Sequence, residues 1–243
     1  MDPRLLNLDF KTSLRSVADL ILPRMCVTCG RELLACEDHL CMACRSDLPL
    51  TRYGLMDHNP MADALNAQVE DSRYCYATAL IFYDSDSPFS NITRCLKYKR
   101  NFGAGKHFAR MLGESLPGWI NDADLVVGVP LHWTRRWKRG YNQAEIIAGE
   151  IADCIGARTA RVLSRTRRTA SQTRMSMEGK RDNVKGAFAV RPRTAAKCAG
   201  VRHILLVDDV FTTGSTLSAC HAALRTCFGP EVRISVAVLA KVG

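Results

Sequence analysis

The chain has 243 residues, 47% of them hydrophobic, and a formal net charge of +10. That length suits one α/β domain of ordinary size plus a small module, and no apolar run approaches the roughly 18 residues of a helical membrane span. The positive balance favours polyanionic partners, nucleic acid or a polyphosphate, and says nothing about fold.

In chain order, Leu6, Phe10, Leu14, Val17 and Ile21 recur at helical spacing among Asp9, Lys11, Arg15 and Asp19. An amphipathic helix packed on the rest of the protein fits this pattern better than a secretory signal, so a reducing, cytoplasmic setting is expected. Pro23 to about Leu50 is rich in cysteine and turns, and residues 1–50 read as a helix plus a zinc finger. Residues 51–73 read as a polar connector, partly helical. Over 74–243 apolar strands alternate with helices. Tyr76–Tyr83 is a strand, Ile92–Tyr98 and Gly105–Leu116 are helical, and Leu125–Pro130 is a buried strand. Asn142–Ile155 is a helix with Ala144, Ile147, Ala148 and Ile151 on one face. Strands follow over Ala187–Val190 and His203–Asp208, then a helix and a last strand over Val232–Leu239. The alternation predicts an α/β fold, a mainly parallel sheet flanked by helices, with a small N-terminal module.

Six of the eleven cysteines (Cys75, Cys95, Cys154, Cys198, Cys220, Cys227) are scattered, mostly on apolar patterns, and read as small buried hydrophobes. The other five crowd between Cys26 and Cys44. Cys26-Val-Thr-Cys29 and Cys41-Met-Ala-Cys44 are two C-x-x-C knuckles, and their four thiolates can close a tetrahedral Zn²⁺ site. Such a site leaves no position for water, so this zinc is structural. Cys36 and His39 lie between the knuckles, and either can stand in for a ligand.

Two further segments concentrate cations. Trp133–Tyr141 reads WTRRWKRGY, with Arg135, Arg136, Lys138 and Arg139 ahead of Gly140, and it follows a predicted strand. It is either an anion-holding loop or a basic surface loop whose tryptophans pack on the body. Arg165–Lys185 carries Arg165, Arg167, Arg168, Arg174, Lys180, Arg181 and Lys185 against Glu178 and Asp182. From Thr166 to Lys185 apolar anchors are few, the composition of a mobile segment.

The stretch HILLVDDVFTTGSTLSAC, His203–Cys220, joins these features. An unalternating aliphatic run reads as a strand buried on both faces, and helical spacing resumes at Ser215. The loop between lies where open α/β sheets place ligands. Gly214, small hydroxyl residues and a helix N-terminus make an anion cradle, most naturally for phosphate. Asp208 and Asp209 would repel that anion unless the ligand also carries hydroxyls or Mg²⁺. A sugar phosphate satisfies both halves.

Val207–Thr216 (VDDVFTTGST) resembles the PRPP-binding signature of type I phosphoribosyltransferases. VPLHWTRRWKRGYNQAE is similar to the VP…RRGFNQ signature of the ComF family, which joins a cysteine-knuckle zinc finger to a phosphoribosyltransferase domain. Cys95–Arg100 and Gln172…Lys180–Phe188 also resemble family segments, so the likeness spans nearly the whole chain. Tyr141 stands where phenylalanine is commoner, and Cys36 and His39 enrich the finger.

The resemblance implies a type I phosphoribosyltransferase fold and a Mg²⁺-dependent transfer of phosphoribosyl from PRPP to a nitrogen acceptor. It implies that Asp208 and Asp209 hold the ribose diol and Mg²⁺. Thr212, Thr213, Gly214, Ser215 and Thr216 then hold the 5-phosphate, and Arg135, Arg136, Lys138, Arg139 and Gly140 the pyrophosphate. Arg167, Arg168, Gln172 and Arg181 belong to the closing loop. Cys26, Cys29, Cys41 and Cys44 bind Zn²⁺. The alternative it implies is a non-enzymatic protein of DNA uptake and competence, associated with single-stranded DNA or DNA-uptake proteins, its PRPP site regulatory or vestigial.

Overall fold

The computed structural model describes residues 23–98, 101–131, 137, 140–166 and 186–243, with backbone alone at 97 and 98. The helix expected around Leu6–Ile21 lies outside these residues. So do Arg135, Arg136, Lys138 and Arg139, and likewise Arg167, Arg168, Gln172 and Arg181.

Five strands form one sheet: β1 (Ala77–Tyr83), β2 (Leu125–Gly128), β3 (Arg158–Thr159), β6 (His203–Phe211) and β7 (Arg233–Val242). Their order is β1-β7-β6-β2-β3, and every neighbouring pair is parallel. Along β6 the aliphatic run divides by alternation. Ile204 and Leu206 face a core with Met61 and Leu65 of α2 (Pro60–Asn66) and Leu217 and Leu224 of α8 (Ser215–Arg225). Leu205 and Val207 face a second core with Phe108 and Leu112 of α4 (Phe102–Glu114) and Ile147 and Ile151 of α6 (Gln143–Ile155). Helices therefore cover both faces, which is why the strands need no polar alternation; the intervening helices are α1 (Met42–Ser46), α3 (Asn91–Tyr98), α5 (Gly118–Asn121) and α7 (Pro192–Ala196). Among the described residues, no helix is long and apolar enough to cross a membrane.

Several elements differ from the sequence reading. The strand expected at Ala187–Val190 exists as β5 (Phe188–Val190). It pairs antiparallel with β4 (Leu163–Arg165) in a separate two-stranded sheet. β6 runs on to Phe211, so both aspartates lie within the strand. Pairing with β2 ends at Gly128↔Val207, but pairing with β7 continues to Phe211↔Lys241. The 51–73 stretch is less peripheral than its polarity suggests. Its Met61, Ala62 and Leu65 are wholly buried, and Asn59 caps α2, its Oδ1 accepting from Met61 N at 3.1 Å and Ala62 N at 3.0 Å. Cys75, Cys95, Cys198 and Cys220 are buried as expected, but Cys154 and Cys227 are exposed.

Gly128 marks the closest approach of helix to sheet. A Cβ there would lie 2.7 Å from Ala144 O and 2.9 Å from Glu145 N, backbone atoms that open α6. Gly128→Ala is therefore expected to push α6 off the end of β2 and cost about 1–3 kcal/mol. Urea unfolding measures this directly, and an unchanged midpoint would contradict the packing argument.

Candidate functional site

β2 feeds α6 and returns to β3 on one side, while β6 feeds α8 and returns to β7 on the other. The two adjacent strands thus send their connections in opposite directions, and their C-terminal ends form the crevice where such sheets bind ligands. On the β6 wall, Asp208 and Asp209 are half-buried, and Asp208 Oδ1 accepts from Asp209 N at 2.9 Å. Thr212 is exposed, Ser215 buried, and Thr213 Oγ1 lies 3.0 Å from Ser215 Oγ. Gly214 adopts φ +81°, a left-handed conformation that glycine takes without strain, and precedes the first turn of α8. The first amides of that helix have no intrahelical acceptor, so the loop offers N–H donors and hydroxyls together.

The opposite wall is the segment after β2. Val129 N donates to Val207 O at 2.8 Å, which joins the two walls. Asn142 Nδ2 donates to Val129 O at 2.9 Å while its Oδ1 accepts from Ala144 N at 3.2 Å, so one side chain ties the outgoing strand to the returning helix. Tyr141 donates its hydroxyl to Leu96 O and packs edge-on against Phe102 at 4.8 Å. Gly140 sits at φ +80°, and Trp137 is exposed instead of packing on the body. Beyond β2 a cavity of about 460 Å³ is lined by Leu131, Arg161, Arg165 and Arg191, among others.

The ends of the 167–185 segment are held together. Thr166 N donates to Ala187 O at 2.9 Å, and the Arg165 guanidinium lies over the Phe188 ring at 5.2 Å. Leu163, Ala187 and Phe188 share a core with Leu217 and Cys220 of α8, and β4 and β5 both pack against that helix.

At the other end of the chain, the Sγ atoms of Cys26, Cys29, Cys41 and Cys44 lie within 4.8 Å of one another. Cys29 Sγ and Cys41 Sγ are 3.8 Å apart, close to the roughly 3.8 Å edge of a tetrahedron with Zn–S bonds of about 2.3 Å. These four cysteines can hold a metal ion. Cys41 N donates to Cys26 Sγ and Cys44 N to Cys41 Sγ, both at 3.4 Å. Burial opposes ionisation of Cys26, but amides of Cys29, Cys41 and Thr28 outweigh it and bring the thiol to about 6. Burial, and then hydrogen bonds to the sulfurs of Cys41, Cys29 and Cys26, push Cys44 strongly up.

Cys36 is exposed and His39 is not among the four clustered ligands; its ring sits 5.3 Å from that of His107. Glu37 is the residue sequence reasoning missed here. Buried, it accepts from Leu34 N at 2.8 Å and Met42 N at 2.6 Å, shaping the loop between the knuckles. No spacing rule marks it.

A parallel sheet with an acidic strand end and a Thr/Gly/Ser loop at its crevice, preceded by a four-cysteine module, is the combination that the resemblance to the ComF family implies. The chain has homologues named accordingly. It is 28% identical to Competence protein F of Haemophilus influenzae over 157 residues, 60% of this chain and 66% of the relative. It is 32% identical to DNA utilization protein YhgH of Salmonella typhimurium over 141 residues, and 31% identical to that of Escherichia coli K12 over 147, each match covering 56% of this chain and 60% of the relative. The matches therefore span less than two thirds of these relatives. No family model matches the chain. Among solved structures, the allosteric regulatory enzyme of purine biosynthesis is 20% identical with a TM-score of 0.36, covering 56% of this chain and 25% of that one. Orotate phosphoribosyltransferase from Aeropyrum pernix is 14% identical with a TM-score of 0.33, covering 74% and 81%. Similarities of that size carry no argument about the site.

Proposed function

We propose that the chain binds Mg-PRPP at the crevice between β6 and β2 and transfers phosphoribosyl to a nitrogen acceptor. The observation that carries this reading is the adjacency of Asp208, Asp209 and the Thr212–Thr216 loop to the end of β2. In it, amides and hydroxyls of Thr212, Thr213, Gly214, Ser215 and Thr216 take the 5-phosphate. The aspartates take the ribose diol. The reading assigns the pyrophosphate to Arg135, Arg136, Lys138, Arg139 and Gly140, and the closing loop to Arg167, Arg168, Gln172 and Arg181. Two half-buried carboxylates beside exposed Thr212 suit a hard cation with oxygen ligands, and Mg²⁺ would supply charge to the leaving pyrophosphate.

As the anomeric C–O bond breaks, positive charge grows on the sugar and negative charge on the leaving oxygen. Carboxylates near the first and cations near the second lower the barrier by position and charge, with no covalent intermediate required. The four-cysteine module holds one structural Zn²⁺. Calorimetry with Mg-PRPP, followed by a screen for pyrophosphate release across nucleobases and related amines, tests the reading. Acceptor-dependent release supports it, binding without release reduces it to a ligand-binding protein, and absence of binding removes it.

The relatives' names, a competence protein and DNA utilization proteins, favour a second reading in which the chain also contacts single-stranded DNA. The +10 charge and exposed Trp137 are compatible with it. Only phosphate neutralisation and stacking are available, so binding should be non-specific and salt-dependent. If Arg135, Arg136 and Lys138 carry it, affinity should fall roughly 20-fold between about 50 and 200 mM salt, a log–log slope of about −2. Fluorescence anisotropy with a labelled oligonucleotide measures the slope. Affinity that ignores salt, or survives loss of the three cations, rules out the basic-loop version.

A further inference from the structure

Gln68 lies in the 51–73 segment, far in sequence from the Thr212–Thr216 loop, and no motif includes it. Its Nε2 donates to Thr213 O at 2.6 Å and to Ala64 O at 2.8 Å. Two carbonyl acceptors require the amino end of the amide there. Its own main chain is fixed on both sides: Gln68 N donates to Leu65 O at 2.9 Å, and Ser218 Oγ donates to Gln68 O at 2.9 Å. Three residues on, Asp71 accepts from Arg225 Nε at 2.8 Å and Nη2 at 2.6 Å, so this segment is clasped to α8 at two points.

In a planar trans peptide the C=O and the following N–H point in opposite directions. A side chain that holds Thr213 O on the α2 side therefore turns Gly214 N–H to the other side. Glycine at 214 makes the hold necessary, because it tolerates several orientations of that peptide. Glycine also makes the hold possible: a Cβ at 214 would stand 3.0 Å from Gln68 Nε2 and 3.0 Å from Phe211 Cζ.

We infer that Gln68 is a positioning residue for the anion-binding loop, anchoring the Thr213 carbonyl so that Gly214 N–H is preset toward a phosphate. The inference rests on the phosphoribosyl-ligand reading and deepens it. Gln68→Met keeps length and removes the donor. Ribose 5-phosphate and inorganic phosphate are titrated into wild type and variant, the Gly214 amide is followed by ¹H–¹⁵N NMR, and thermal midpoints are measured separately. The expected result is about tenfold weaker binding of both anions by folded Gln68→Met, the worth of one well-aimed hydrogen bond, and loss of the Gly214 response to phosphate. A purely structural Gln68 would lower the midpoint and leave both affinities unchanged.

Equal ribose 5-phosphate affinity in wild type and Gln68→Met overturns the role of Gln68 and leaves the ligand reading standing. Phosphate binding that weakens in the variant, with no wild-type affinity for ribose 5-phosphate or Mg-PRPP, overturns the ligand reading alone. Binding of neither anion by wild type overturns both. Should Gln68→Met not fold, Gln68→Asn, which keeps the amide but falls short of Thr213 O, takes the same titrations: weaker binding of both anions supports the inference, and unchanged affinities or a wild-type Gly214 amide that ignores phosphate overturn it.

Discussion

Replacing Asp208 and Asp209 together with asparagine should weaken Mg-PRPP binding by about 2–4 kcal/mol, a factor on the order of 10² or more. Asparagine keeps the shape, and its Oδ1 can still accept from the next backbone N–H as Asp208 does from Asp209 at 2.9 Å. What it removes is charge, and charge-assisted hydrogen bonds are roughly twice as strong as neutral ones. Plain sulfate in the Thr212–Thr216 loop should bind as well or better, since two nearby negative charges have gone. The single variants should be unequal. Asp208, two residues beyond Leu206, belongs to the side of Ile204, Leu206 and α8. Burial chiefly, with the Asp208 charge adding, holds the Cys220 thiol of α8 neutral, which agrees with that assignment for Asp208. Calorimetric titration of PRPP and sulfate into folded wild type and double variant decides. Unaltered PRPP affinity with reduced stability would mean the aspartates only brace the turn.

The second large effect concerns the cysteine module. Protein purified without added zinc should carry about one Zn²⁺ per chain, and Cys29→Ser/Cys41→Ser should carry almost none. Structural zinc contributes about 10–16 kcal/mol of apparent binding energy in isolated finger peptides, so the module should not stay folded without it. The loss should reach the body, because Cys26, Leu33, Leu40 and Cys41 share one core with Phe108, Leu112 and β7 residues Ala237 and Leu239. Metal analysis beside a thermal melt gives both readings. Full zinc content in the double variant, or none in intact wild type, would refute the assignment.

Local chemistry makes much of this legible in the sequence. An aliphatic run at Ile204–Val207 reads as a strand covered on both faces, and glycine among hydroxyl residues ahead of a helical period reads as a loop feeding a helix. Two C-x-x-C pairs have one common use in a reducing setting, and the four thiols do converge. These features are encoded within a few residues of one another, so short-range sterics and polarity suffice to read them.

Only the tertiary structure decided what depends on distant parts of the chain. That β6 lies beside β2, bringing the acidic strand end against the root of the basic loop, is a consequence of strand order, which periodicity does not contain. Equal apolarity of β5 and the sheet strands concealed that β5 pairs elsewhere, with β4. Polar residues around Met61 and Leu65 hid their burial under the sheet. Glu37 and Gln68 look like ordinary surface residues, and what they do follows from the backbone groups that folding brings within reach: amides of Leu34 and Met42 for one, the Thr213 carbonyl for the other. A hydrogen bond between groups far apart in sequence has no local signature, because its cost and gain appear only once the chain has closed the loop between them.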